Sequence, residues 1–99
     1  MINLATMFSN IGRHEDALVM QEKTLDFQRR VLPAHHTSLG IACFNISISH
    51  ENMGNLHSAI EMAHEALRIF QATLPPSNPY VQKSQLRLRL MENDAGRRH

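Results

Sequence analysis

The sequence predicts an all-α fold of antiparallel helix pairs, present twice and followed by one terminal helix. Two observations carry this. First, the 99-residue chain matches itself at a shift of 42 positions: Asn3 falls on Asn45, Asn10 on Asn52, Gly12 on Gly54, Ala17 on Ala59, Met20 on Met62, Leu25 on Leu67, Leu32 on Leu74 and Pro33 on Pro75. A fixed period of this length marks stacked helical or strand units, each too small to bury its apolar face alone. Second, apolar residues recur at helical spacing almost throughout, with glycine and proline confined to regular breaks.

The elements follow in order. Ile2, Leu4, Ala5 and Phe8 open a first helix, and Gly12 is expected to stop it as a C′ glycine. A second helix is expected from about His14 to Val31, with Ala17, Leu18, Val19, Leu25 and Phe27 inward. Glu15 and Asp16 in its first turn and Arg29 and Arg30 in its last complement the helix dipole. Leu32 to His36 is a break. A third helix is expected from about Thr37 to Met53, ended by Gly54-Asn55, and a fourth from about Leu56 to Thr73. The segment Leu74 to Pro79 breaks the chain again and carries a start signal, Asn78 as N-cap with Pro79 at the first helical position. A fifth helix is expected to about Asn93. Its stretch Gln85 to Leu90 alternates apolar and polar as a strand would, but an isolated strand has no pairing partner in an all-α chain. The expected organisation is one domain over 1–93, with repeats at about 1–36 and 37–78, a terminal helix at 79–93 and a polar tail at 94–99.

Bulk composition narrows the function classes. Ten Lys and Arg oppose nine Asp and Glu, so no large positive field favours a nucleic-acid backbone. One cysteine, Cys43, rules out an internal disulfide framework and suits a reducing, cytoplasmic setting. No run approaches the roughly 20 apolar residues of a membrane helix, and the N-terminal stretch lacks the basic and apolar regions of a secretory signal. No paired carboxylates, nucleophile–base set or phosphate loop suggests an enzyme. The seven histidines lack chelating spacing: His64-Glu65-Ala66-Leu67-Arg68 has no second histidine, and His57 and His64 lie two turns apart. Neither a metal nor a cofactor is expected. Cys43 is expected to be buried and structural, and the paired His35-His36 to lie in a loop as surface or capping residues.

The repeat resembles the tetratricopeptide repeat in its lengthened, 42-residue form, as in kinesin light chains and related cytoplasmic scaffolds. The family's Asn-Leu-Ala-x-x-Tyr stretch is mirrored by Asn3-Leu4-Ala5-Thr6-Met7-Phe8 and by Asn45-Ile46-Ser47-Ile48-Ser49-His50. Its Gly-x-Tyr-x-x-Ala-Leu is mirrored by Gly12 to Leu18 and by Gly54 to Ile60. Its longer break resembles Leu32 to Leu39 and Leu74 to Val81, where His36 and Pro79 keep a family residue each. The resemblance implies a short right-handed solenoid in which a helix A and a helix B pair within each repeat. Small residues, Ala5 with Ala17 and Ser47 with Ala59, are expected at the close crossings. His50 stands where the family has an aromatic ring, so the second crossing is expected to be less well filled. Arg87 and Arg89 depart from the family pattern, which marks the last helix as a solvated end.

The resemblance also implies a site. Helix A residues line the concave face, so the peptide-binding groove is expected at Asn3, Thr6, Asn10, Phe44, Asn45, Ile48, Asn52, Lys83 and Arg87, with Ile2 beside them. Asparagine amides pair with both N–H and C=O groups of a peptide backbone. Phe44 and Ile48 are expected to form an apolar anchor, and Lys83 and Arg87 to draw an acidic group. The expected function is a protein–protein interaction module within a scaffold or adaptor. The rival is a structural repeat piece that self-associates through its terminal helices. Met1 falls inside helix A, so the chain reads as part of a longer array or as a short array completed by a partner.

Overall fold

The computed structural model describes the backbone of residues 4–97 and the side chains of residues 13–96. Four helices succeed one another: α1 (Leu4–Val31), α2 (Thr37–Asn52), α3 (Leu56–Thr73) and α4 (Pro79–Arg97). Among the described residues there is no strand, and Gln85 to Leu90 is helical. Each helix packs on the next, α1 on α2, α2 on α3 and α3 on α4.

Local chemistry explains the ends of the middle helices. His36 caps α2, its Nδ1 accepting from the Ser38 N–H at 3.1 Å. At the other end Gly54 adopts φ +82°, the left-handed conformation that a side chain disfavours. The Gly54 N–H donates to the Glu51 carbonyl at 3.1 Å and the Asn55 N–H to the His50 carbonyl at 2.8 Å. These two bonds make a Schellman closure, which satisfies two carbonyls that α2 would otherwise leave open. Asn78 caps α4, its Oδ1 accepting from the Tyr80 N–H at 2.9 Å.

The core lies along α2 and α3. Leu39, Cys43 and Ile46 of α2 meet Ala66, Ile69 and Phe70 of α3, with Leu18 and Leu25 of α1 and Val81 of α4 completing the cluster. A second cluster joins Ala59 and Ala63 of α3 to Leu88 and Met91 of α4. Ala59 is fully buried, and Ser47 beside it donates its hydroxyl to the Ala59 carbonyl at 2.8 Å. Small side chains thus let the two helices approach closely enough for a side chain to reach backbone. Gly40 serves the same end one turn from the start of α2: a Cβ there would stand 2.7 Å from the Phe70 ring.

Three expectations are corrected. Gly12 does not end a helix, and α1 passes through it without a break. One interior glycine costs a helix only about 1 kcal/mol. Arg13, which follows Gly12, propagates a helix, whereas Asn55, which follows Gly54, favours a stop. Second, Ala17, Val19 and Phe27 face outward, with Phe27 62% exposed, while Leu18 and Leu25 are buried. The straight α1 puts no helix of the same repeat over that face. Third, α4 continues past Asn93 to Arg97, through Gly96, with Ala95 half-buried. Leu86 and Leu90 of α4 stay exposed, as expected for an end helix.

Candidate protein-binding surface

The described members of the expected groove lie on α2 and α4. Phe44, Asn45, Ile48 and Asn52 fall within roughly a 100° arc of α2, at about 100° per residue. Asn45 and Asn52 are exposed and Ile48 is half-buried. Lys83 and Arg87, one turn apart on α4, share a face, with Lys83 exposed and Arg87 half-buried. Asn3 and Ile2 lie outside the described residues. Thr6 and Asn10 belong to α1, but their side chains lie outside the described set.

Two of these residues are engaged inside the fold. The Phe44 ring lies 6.4 Å from Phe70 and 6.4 Å edge-on from Tyr80, while Phe70 and Tyr80 stack at 5.1 Å. The Arg87 guanidinium carbon sits 5.9 Å from the Phe44 ring centroid. Arg87 also forms an ion pair and hydrogen bond with Glu51 of α2. Phe44 and Arg87 therefore bind α2 to α3 and α4. A ring held edge-on and a charge already paired rigidify the surface instead of offering a vacant anchor. Tyr80 and Glu51 were not singled out from the sequence. Glu51 and Arg87 stand 36 positions apart, which no local rule connects, and only the packing of α2 and α4 joins them.

Asn45 borders a different feature. Between α1 and α2 runs a groove of about 340 Å³, lined by Met20, Gln21, Thr24, Gln28, Ser38, Ile41, Ala42 and Asn45. The Gln28 Oε1 is buried there without a hydrogen-bond partner. At the groove's edge the Ser49 hydroxyl donates to the Gln21 Oε1 at 2.9 Å, fastening α1 to α2. Between α1, α2 and α3 a second cleft of about 220 Å³ is lined by Leu25 and Arg29 of α1, Ile46 and His50 of α2 and Met62 of α3. It lies beside the position where the family pattern has a ring instead of His50.

Cys43 is fully buried, and burial foremost pushes its thiol pKa up, with Arg29 opposing in part. It is held as a neutral thiol, a packing residue in the core. Among the described residues, no group of three or more His, Cys, Asp or Glu could hold a metal ion. No described helix is long and apolar enough to cross a membrane. His57 pairs with Glu61 at 3.0 Å on the exposed face of α3.

A family model described as Tetratricopeptide repeat matches residues 1–72. A comparison with curated proteins finds no match.

Proposed function

The chain belongs to the tetratricopeptide repeat family, and from that premise we propose that it binds a peptide segment of another protein on the surface formed by α2 and α4. Chains of this family are protein-interaction modules, not typically enzymes. The supporting observation is exposure: Asn45 and Asn52 are exposed and Ile48 half-buried on α2, and Lys83 is exposed on α4, which Arg87 holds to α2 through Glu51. The two amides are free to pair with both kinds of peptide backbone group. Ile48 offers a small apolar contact and Lys83 an unburied cation for an acidic side chain. Phe44 and Arg87 act indirectly, by holding α2 and α4 at fixed spacing. Asn3, Thr6 and Asn10 hold the corresponding positions of the first repeat in the family register. We read the whole as one repeat domain of the kinesin-light-chain-like type, part of a cytoplasmic scaffold or adaptor.

A random peptide library displayed on phage tests this. Selected peptides should carry an acidic residue. Asn45→Ala should weaken their binding roughly fivefold, the loss of one hydrogen bond of about 1 kcal/mol, without changing the helical signal. Lys83→Ala should weaken them most at low salt. Peptides that bind equally well to both variants would refute the site.

A further inference from the structure

The groove between α1 and α2 has an internal counterpart, 42 residues on, that is filled. Shifted by 42 residues, Thr24 and Gln28 of α1 fall on Ala66 and Phe70 of α3, and Ser38 and Asn45 of α2 fall on Tyr80 and Arg87 of α4. Between α3 and α4 those counterparts grip a helix, namely α2. Phe70, Tyr80 and Arg87 all contact Phe44, and Ala66 is fully buried. The counterpart positions on α1 are uncovered: Ala17 and Thr24 are exposed and Met20 is 65% exposed. The first repeat therefore presents the corresponding seat without its helix, with Gln28, Ser38 and Asn45 in place of Phe70, Tyr80 and Arg87.

The sequence names the occupant of that seat. Forty-two residues before Phe44 and Ser47 stand Ile2 and Ala5, in the stretch that carries the helix A pattern. Its described part, Leu4 to Ile11, is not folded back but runs in line with the rest of α1. At 1.5 Å per residue, Leu4 lies about 24 Å along the axis from Met20, pointing away from the groove. A collinear segment cannot lie on its own helix, but the same segment from another molecule can.

We infer that the α1–α2 groove receives residues 2–9 of a second copy of this chain, exchanged reciprocally about a two-fold axis at Gly12. The two α1 helices would then run antiparallel, each N-terminal half seated on the other's C-terminal half. Gly12 places no Cβ at the crossing, where the helices come closest. Residues 4–11 carry no charge, which suits a seat of Ala17, Met20 and Thr24.

Mixing two single variants of the full chain, Ala5→Cys and Ala17→Cys, is the test. These positions are the counterparts of Ser47 and Ala59, which touch through a 2.8 Å hydrogen bond. Under mild oxidation the mixture should form a mixed-disulfide dimer on a non-reducing gel, and Cys43, being fully buried, should not interfere. If the mixture stays monomeric while the double variant closes a disulfide within one chain, the segment seats on its own molecule and the inference fails. It fails equally if no disulfide forms in either. As a check that does not depend on cysteine chemistry, the parent chain should sediment at twice its 11.3 kDa mass, and Thr24→Arg should return it to one mass with its helical signal intact. A parent monomer, or a Thr24→Arg dimer, would overturn the exchange.

Discussion

Gly40→Ala is expected to destabilise the fold, although alanine is the better helix former. The substitution gains about 1 kcal/mol in helix propensity. Against that, its Cβ would stand 2.7 and 2.9 Å from two carbons of the Phe70 ring and 3.1 Å from the Ile69 Cγ2. Ordinary contact begins near 3.4 Å, so the ring must retreat by about 0.7 Å. Phe70 is fully buried, Tyr80 stacks on it at 5.1 Å, and Phe44 and the Arg87 guanidinium lie behind. Retreat would disturb the set of contacts that joins α2, α3 and α4. Overpacking of this kind costs about 1–3 kcal/mol, so the net loss should be about 1 kcal/mol. For a chain of this size that lowers the melting midpoint by about 4–8 °C. Gly96→Ala is the control, because nothing lies within 4 Å of a Cβ there. Calorimetry of both variants decides the matter. A Gly40→Ala midpoint at or above the parent's would show that the ring moves freely and that the α2–α3 approach is looser than described.

Gly54→Val should cost about 1 kcal/mol or more, read as a lower urea midpoint, because a β-branched residue at φ +82° is strained. Ala59→Arg should abolish the cooperative melt, since a long charged side chain would replace a fully buried methyl at the α2–α3 crossing and displace Leu88 and Met91. Cys43 makes stability fall at alkaline pH. Its folded pKa is raised, so above the ordinary thiol value the unfolded chain releases a proton that the folded chain keeps. The contribution is intact below that value and is lost as pH rises toward the folded pKa. Urea midpoints measured across the alkaline range should therefore decline less steeply for Cys43→Ala than for the parent.

Elements governed by near neighbours were legible in the sequence. The stop at Gly54-Asn55, the cap at Asn78 with Pro79, the limits of α3 and the small pair Ser47 and Ala59 each follow from local chemistry or from the 42-residue period. Burial of Leu18, Leu25 and Cys43 follows from helical spacing. Of the candidate surface, the residue types and their helix were readable, because an arc on a helix is set by position alone.

Tertiary structure decided the rest. The repeat period alone does not decide whether a glycine stops a helix. Gly12 and Gly54 share a repeat position, yet one lies within α1 and the other ends α2. Whether Phe44 and Arg87 are free or engaged depends on Tyr80 and Glu51, which no local spacing connects to them. Period and periodicity are properties of the chain near itself. The open seat on α1, the filled one on α3 and the ion pair across 36 residues arise from segments distant in sequence, and only packing in three dimensions sets which of them meet.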